Sequence, residues 1–280
     1  MTKSQIGHLP FVICYLSFVI CLAACARPDD TWERVLETGT LRVGMDASFP
    51  PFETISADGT LVGFDVDLAR ELGRRLGPAL SEAEGVEVQF VANLPYDGLY
   101  DALAVNRVDI VISALVVNPA RMADFAYSAS YFDAGQVLVV REEPDRFSET
   151  CQVSDIEGMA DLDGCTLAVE FGTQGDLEAR KWAQRLPNLT VVPYQTAAEA
   201  LAAVTAGQAD AALVDHVSAL GAMGIESGLV IVGQPVVEEP YAVAVRRESQ
   251  HLLQAINEVL AEMEADGTIG TLVERWMSTD

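Results

Sequence analysis

Short apolar runs of strand character alternate with segments of helical period along most of the chain, and this alternation restricts the fold more than any other feature. Leu41–Met45, Val86–Val91, Asp109–Ser113, Thr166–Glu170, Thr190–Tyr194, Ala211–Val214 and Leu229–Val232 read as strands. They are continuous rather than alternating apolar and polar, as strands covered on both faces are. Helix-spaced apolar residues fill Trp32–Glu37, Val66–Leu76, Tyr96–Val105, Pro119–Ala123, Asp176–Leu186, Ala197–Thr205, Val217–Met223, His251–Ala265 and Ile269–Trp276. The pattern predicts an α/β fold of helix-covered, parallel-type sheets, with no internal repeat. Asp30 and Glu33 have the spacing of a capping box for the first helix, and Gly39 reads as its stop. The stretch from Gly77 to Gly85 reads as an inserted surface loop, and Trp182 and Trp276 as core anchors for their helices.

The chain has 280 residues, long for one core and comfortable for two. Hydrophobic residues are 50% and charged residues 21%, a globular composition. Lys and Arg number 17 against 42 Asp and Glu, a net charge of −25 that argues against a nucleic-acid partner. His8, His216 and His251 have no metal-ligand spacing, so no metal site is predicted. No nucleophile elbow, phosphate-binding glycine loop or dinucleotide fingerprint is present. No catalytic residue and no cofactor are therefore assigned, and a binding module is favoured over an enzyme.

Residues 1–8 carry one Lys and no acid, and residues 9–24 are apolar apart from Pro10 and Ser17. This run is short for a bilayer span of about 20 residues and reads as a secretory signal peptide, residues 1–24. It ends in Leu22-Ala23-Ala24-Cys25, which resembles a bacterial lipobox. That implies acylation of Cys25, a lipid-anchored tether over 25–30, and a protein secreted across the cytoplasmic membrane and held on its outer face by lipid alone. Cys14 and Cys21 leave with the leader, so Cys151 and Cys165 remain in an oxidising compartment. They are predicted to form a disulfide of about 3 kcal/mol in the chain-entropy model, two buried thiols being the alternative.

Leu41-Arg42-Val43-Gly44-Met45-Asp46, Phe49-Pro50-Pro51-Phe52-Glu53 and Gly63-Phe64-Asp65-Val66-Asp67-Leu68, with Leu72 and Leu76 following, resemble the opening of family 3 extracellular solute-binding proteins. Val108–Ser113 with Arg121, Ala168–Thr173, Asp210–Asp215 and Ala265-Asp266-Gly267-Thr268 leading to Trp276 extend the resemblance over residues 31–277. It implies the two-lobed, periplasmic-binding-protein-like (type II) α/β fold with two hinge strands. The first lobe would hold 31–133 and 238–280, the second 138–236. It further implies a monomer that captures an amino acid in the cleft and delivers it to the permease of an ABC transporter.

A free amino acid is a zwitterion, so its pocket needs a cation and an anion. Arg121 suits the carboxylate, with Asn118 and Pro119 as N-cap and first residue of a short helix; the alternative is a surface pair with Asp124. Thr173 sits where a strand turns into a helix whose free N–H groups favour an anion, the alternative being an ordinary turn residue. Asp215 closes a strand where the family places its ammonium-binding carboxylate, with a plain N-cap as the alternative. Ser113 would add hydroxyl and backbone contacts, with Leu115 in the same ligand-facing stretch. Ala114 and Val116 replace hydroxyls common in relatives. Phe49 and Tyr96 match the rings that sandwich the ligand. Asp46 and Glu170 match positions facing its side chain, favouring a polar or basic ligand over an acidic one. Two other functions share the scaffold. Cyclohexadienyl dehydratases carry Glu two places after the Gly-Thr pair, where this chain has Gly175 and then Asp176. A ligand-sensing subunit of a signalling partner is the other.

Overall fold

A computed structural model describes residues 30–77, 85–142, 151–223 and 228–277. The leader, Cys25, most of the tether and the interior of the 77–85 loop lie outside the described residues.

The first sheet has the order β5-β1-β6-β13-β7 and the second β10-β9-β11-β8-β12. In the first, β1 (Thr40–Gly44), β5 (Glu87–Val91) and β6 (Ile110–Val111) run parallel, joined through α2 (Phe64–Arg75) and α3 (Leu99–Ala104). The same logic builds β9 (Thr166–Glu170), β10 (Thr190–Tyr194) and β11 (Ala211–Asp215), connected by α4 (Gln174–Ala183) and α5 (Ala197–Thr205). A small third sheet, β2 (Ser48–Phe49), β3 (Glu53–Ile55) and β4 (Leu61–Val62), lies between β1 and α2 in the chain. The helices α1 (Thr31–Thr38), α7 (Gln250–Ala265) and α8 (Thr268–Met277) contribute to the first core, and α6 (His216–Ala222) follows β11.

The expectation of parallel sheets needs correction, because both sheets are mixed. β13 (Pro240–Arg246) runs antiparallel to β6 and to β7 (Phe125–Asp133), and β8 (Gln136–Arg141) runs antiparallel to β11 and to β12 (Leu229–Val237). These four strands carry the chain from one sheet to the other, with two residues, 134–135 and 238–239, at each crossing. No crossover helix accompanies them, so β7, β8 and β13 escape a pattern built on strand–helix alternation, and only Leu229–Val232 of β12 was read.

Each lobe has its own apolar interior. Leu41, Val43, Phe52, Phe64, Leu68 and Leu72 belong to the first, and Leu138, Leu162, Leu167, Val169 and Leu213 to the second. Trp276 packs partly buried on the first while its Nε1 donates to Asp67 Oδ2 at 3.0 Å; Trp182 packs partly buried on the second. Asp109, just before β6, ties α1 to the sheet. It accepts the Arg42 N–H at 2.8 Å and the Arg42 Nη2 at 2.6 Å, and it pairs with Arg34. Burial disfavours its charge, but the bonds from Arg42 and Arg34 prevail and hold its pKa below the usual aspartate value. The capping box at Asp30 does not form. Asp30 has φ −105° and ψ 16°, not the extended geometry an N-cap needs, and only its carbonyl is used, accepting the Arg34 N–H at 2.8 Å. Glu33 instead stands 3.4 Å from His251 Nδ1.

Cys151 and Cys165 are joined by a disulfide with Cα atoms 4.8 Å apart, buried beside Val153, Ile156 and Leu162. Replacing both with Ser is expected to lower the stability of the second lobe by about 3 kcal/mol in urea denaturation. An unchanged midpoint would show that the bond constrains nothing the lobe does not already fix.

Candidate functional site

Where β1 ends, the chain rises out of the first sheet through Asp46 and returns as β2 and β3, and a cavity of about 320 Å³ forms beside the crossings. Its walls are Phe49 and Tyr96, 50% and 46% exposed, with Asp46, Glu53, Ser113 and Tyr241 also lining it. Ser48, Ala114, Val116 and Glu239 complete it. Phe49 is held from below by the buried Phe52 ring, stacked at 5.8 Å and 10°. Tyr241 meets Phe52 edge to face at 5.2 Å. Fixed, partly exposed rings over a polar floor are the usual make-up of a small-molecule pocket.

The floor is a hydrogen-bonded chain. Ser113 Oγ accepts the Asp46 N–H at 2.9 Å and donates to Glu53 Oε1 at 2.8 Å. The Asp46 carboxylate takes the Ser48 hydroxyl at 2.7 Å and the Tyr96 N–H at 2.9 Å, so it orients one wall of the cavity as well as charging it. Burial, then the charge of Asp65, pushes the Glu53 carboxyl well above the ordinary glutamate range. Burial also raises Glu239, helped by the negative charges of Asp133 and Asp215. Thus Asp215, at the end of β11, acts electrostatically on a cavity residue supplied by a crossing.

Of the residues singled out from sequence, the structure brings Asp46, Phe49, Tyr96 and Ser113 together in this cavity. Glu170, Thr173 and Asp215 form a second group at the carboxyl ends of the adjacent parallel strands β9 and β11. Thr173 Oγ1 caps α4, accepting the Asp176 N–H at 3.3 Å and donating to the Glu170 carbonyl at 2.8 Å. The start of α4 is less free than expected, because Asp176 Oδ2 takes the Gly172 N–H at 3.1 Å. Asp215 Oδ1 does serve as an N-cap, accepting the Ser218 N–H at 2.8 Å.

Arg121 and Leu115 lie outside both groups. Asn118 Oδ1 accepts the Ala120 N–H at 3.0 Å with Pro119 next, as read, but the turn is only Pro119–Arg121. The Arg121 guanidinium sits 4.9 Å above the Tyr100 ring and borders a separate groove with Asp101, Asp124 and Arg247. A guanidinium over an aromatic face is held there by the electron-rich ring. Leu115 is buried in the apolar cluster of Leu99, Leu103 and Val108; its carbonyl accepts the Ala242 N–H at 3.0 Å.

Glu53, Tyr241 and Glu239 were missed by the reading from sequence. Glu53 stood in the quoted Phe49–Glu53 motif and could have been marked as a carboxylate amid apolar neighbours. The other two belong to the crossing strands that carried no helix signal. Among the described residues, the one His/Cys/Asp/Glu cluster compact enough for a metal is Cys151, Cys165 and Asp210, and its sulfurs are joined to each other. No described helix is long and apolar enough to cross a membrane.

Gly175, in the first turn of α4, has no room for a side chain. A Cβ there would lie 2.5 Å from Gln136 Oε1 and 2.9 Å from the Leu213 carbonyl. Gly175→Ala is expected to lower stability by about 2 kcal/mol in calorimetric unfolding, through overpacking. A neutral result would mean that the position tolerates a side chain after all.

Bacterial extracellular solute-binding proteins, family 3, have a family model that matches residues 41–279. The L-cystine-binding protein TcyJ of Escherichia coli (strain K12) is 29% identical over 248 residues, 88% of this chain and 86% of the relative. An ancestral cationic amino acid solute-binding protein of known structure is 31% identical with TM-score 0.58, over 88% of this chain and 99% of that one. An ancestral cyclohexadienyl dehydratase is 26% identical with TM-score 0.69, over 88% of this chain and 95% of that one. With two mixed sheets, two crossings and a polar, ring-walled cavity beside them, the chain belongs to the bacterial extracellular solute-binding proteins of family 3.

Proposed function

We propose that this chain is the substrate-binding component of an ABC importer, a monomer anchored outside the cytoplasmic membrane through Cys25, and that it captures an amino acid with a polar or basic side chain. The observation that carries this reading is the cavity itself: two half-exposed rings, Phe49 and Tyr96, over a floor where Ser113 and Glu53 are each 1% exposed. Asp46, Glu53 and Glu239 line it, and among the described residues no Lys or Arg does, so it favours a cationic or neutral polar group over an anion. The relatives named for cystine and for cationic amino acids support the same ligand class.

In this reading the lobe of the first sheet moves against the lobe of the second about the crossings. Ligand contacts made with both lobes favour the closed form by their differential affinity. Asp46 and Glu170 face the ligand side chain, and Asp215 takes its ammonium. Thr173 and Arg121 take its carboxylate, with Ser113 adding its hydroxyl. Arg121 exchanges a cation–π contact of about 1 kcal/mol for a bidentate charge-assisted pair, so its place over Tyr100 is a resting position. Gly175 supports binding rather than dehydration. The position where dehydratases carry their acid cannot hold one here without displacing Gln136 or β11.

Calorimetric titration of the purified protein with the twenty amino acids tests the reading. Binding of at least one polar or basic amino acid is expected, and no response to any of them would overturn it. Arg121→Ala is expected to weaken that binding about 100-fold, close to 3 kcal/mol, by leaving a carboxylate unpaired in a closed site. A loss below about threefold would remove Arg121 from the site.

A further inference from the structure

Beneath the cavity two carboxyl groups meet with no cation between them. Glu53 begins β3, and Asp65 stands fully buried in the first turn of α2. Gly63 brings them together. Its φ is +140°, and a Cβ there would fall 2.0 Å from the Phe52 carbonyl oxygen. Only glycine lets α2 begin against β3, with the Phe64 and Asp65 N–H groups donating to the Pro51 and Phe52 carbonyls at 3.0 and 2.9 Å.

The four carboxyl oxygens are not equally served. Asp65 Oδ2 accepts the Ala114 N–H at 2.5 Å and the Tyr131 hydroxyl at 3.0 Å. Glu53 Oε1 accepts the Ser113 hydroxyl at 2.8 Å. Glu53 Oε2 and Asp65 Oδ1 are buried and have no partner outside the pair, while the two groups act on one another by hydrogen bond and charge. Two ionised carboxylates here would repel in a medium of low dielectric, and two orphaned buried oxygens are costly. One proton between them removes both penalties. Asp65 receives two donors that favour its ionised form and Glu53 one, so the proton belongs on Glu53.

We infer that Glu53 and Asp65 share a single proton carried on Glu53, and that this hydrogen bond positions the Ser113–Ala114 turn under the ligand, so that binding weakens when the pair is deprotonated. This rests on the cavity being the ligand site. Ala114 has φ +44°, uncommon for a residue with a side chain, and its N–H is held by Asp65. Through Ser113 the same network reaches Asp46, and through Asp46 the backbone of Tyr96. The other titratable groups acting on the pair are Asp46 after β1, Tyr96 before α3, Tyr131 on β7 and Tyr241 on β13. All are acids or phenols, and no Lys, Arg or His pairs with either carboxyl among the described residues. Glu53 is a positioning residue.

The test compares wild type with Glu53→Gln, whose amide can donate to Asp65 and accept from Ser113 without titrating. Affinity for the amino acid found by calorimetry is followed from about pH 7 to about pH 11, across the value of about 10 to which burial raises Glu53, and over this range wild type is expected to lose about tenfold more than Glu53→Gln. The ligand's own titration affects both equally. Parallel profiles would overturn the inference. If wild type binds no amino acid, the proposed function fails separately, and unfolding in urea still decides the proton. The folded pKa of Glu53 lies above its unfolded value, so its stabilisation is complete below the ordinary carboxylate range and is lost as pH rises toward the folded value. Wild type should therefore lose stability relative to Glu53→Gln as pH rises. Midpoints that move together would overturn the shared proton. A protonated-carboxyl infrared band in wild type at neutral pH, absent in Glu53→Gln, is expected as well, and an identical spectrum would exclude it.

Discussion

The two lobes are joined covalently at only two places, and these crossings are bonded to each other. Asp133 Oδ1 accepts the Gly135 N–H at 2.8 Å and the Glu239 N–H at 2.9 Å, and the Glu239 carbonyl accepts the Ala134 N–H at 3.0 Å. His216 braces the same point from the second lobe. Its N–H donates to the Gly135 carbonyl at 2.9 Å, and its ring lies on Phe132 at 5.2 Å. One carboxylate thus holds both strands in register, and Val217 and Leu220 of α6 add packing against the first core. The cavity opens beside this knot, and Glu239 enters it directly from the crossing.

The cavity carries a negative charge whose members do different work. Both Asp46 oxygens are engaged by the protein's own Ser48 and Tyr96, so that carboxylate shapes the site before any ligand arrives. Glu53 is bonded to Ser113 in the floor, and Glu239 lines the cavity from the crossing. Arg121 lies outside this cavity, over Tyr100, whose hydroxyl is bonded to Tyr127 at 2.7 Å.

Local chemistry was legible where a single element decides it. Thr166–Glu170, Thr190–Tyr194 and Ala197–Thr205 match their strands and helix end to end, because each is bounded by turn residues and backed by a helix or strand of the other period. The cap at Asn118 was readable for the same reason, and the cap at Asp215 stood as the alternative reading of that residue. What escaped depends on residues far apart in sequence. β8 and β13 are apolar runs like the others but lack a crossover helix. Asp30 fails as a cap because the chain enters α1 in the wrong conformation. The place of Arg121 is set by Tyr100, and the Glu53–Asp65 pair by the close approach at Gly63. Asp46, Phe49, Tyr96 and Ser113 were therefore visible as motif, whereas the roles of Glu53, Tyr241 and Glu239 appear only in the tertiary structure.

The position of β13 has a consequence for the order of assembly. It lies between β6 and β7 in the first sheet, yet follows all of residues 136–237 in the chain. The strands of the second sheet all lie within one contiguous segment, residues 136–237. The first lacks a central strand until the far end of the polypeptide has arrived, a long closure that slows its formation. A chain made or threaded amino end first would complete its inserted half while the half that floors the pocket is still open, and ligand capture would be among the last properties it acquires.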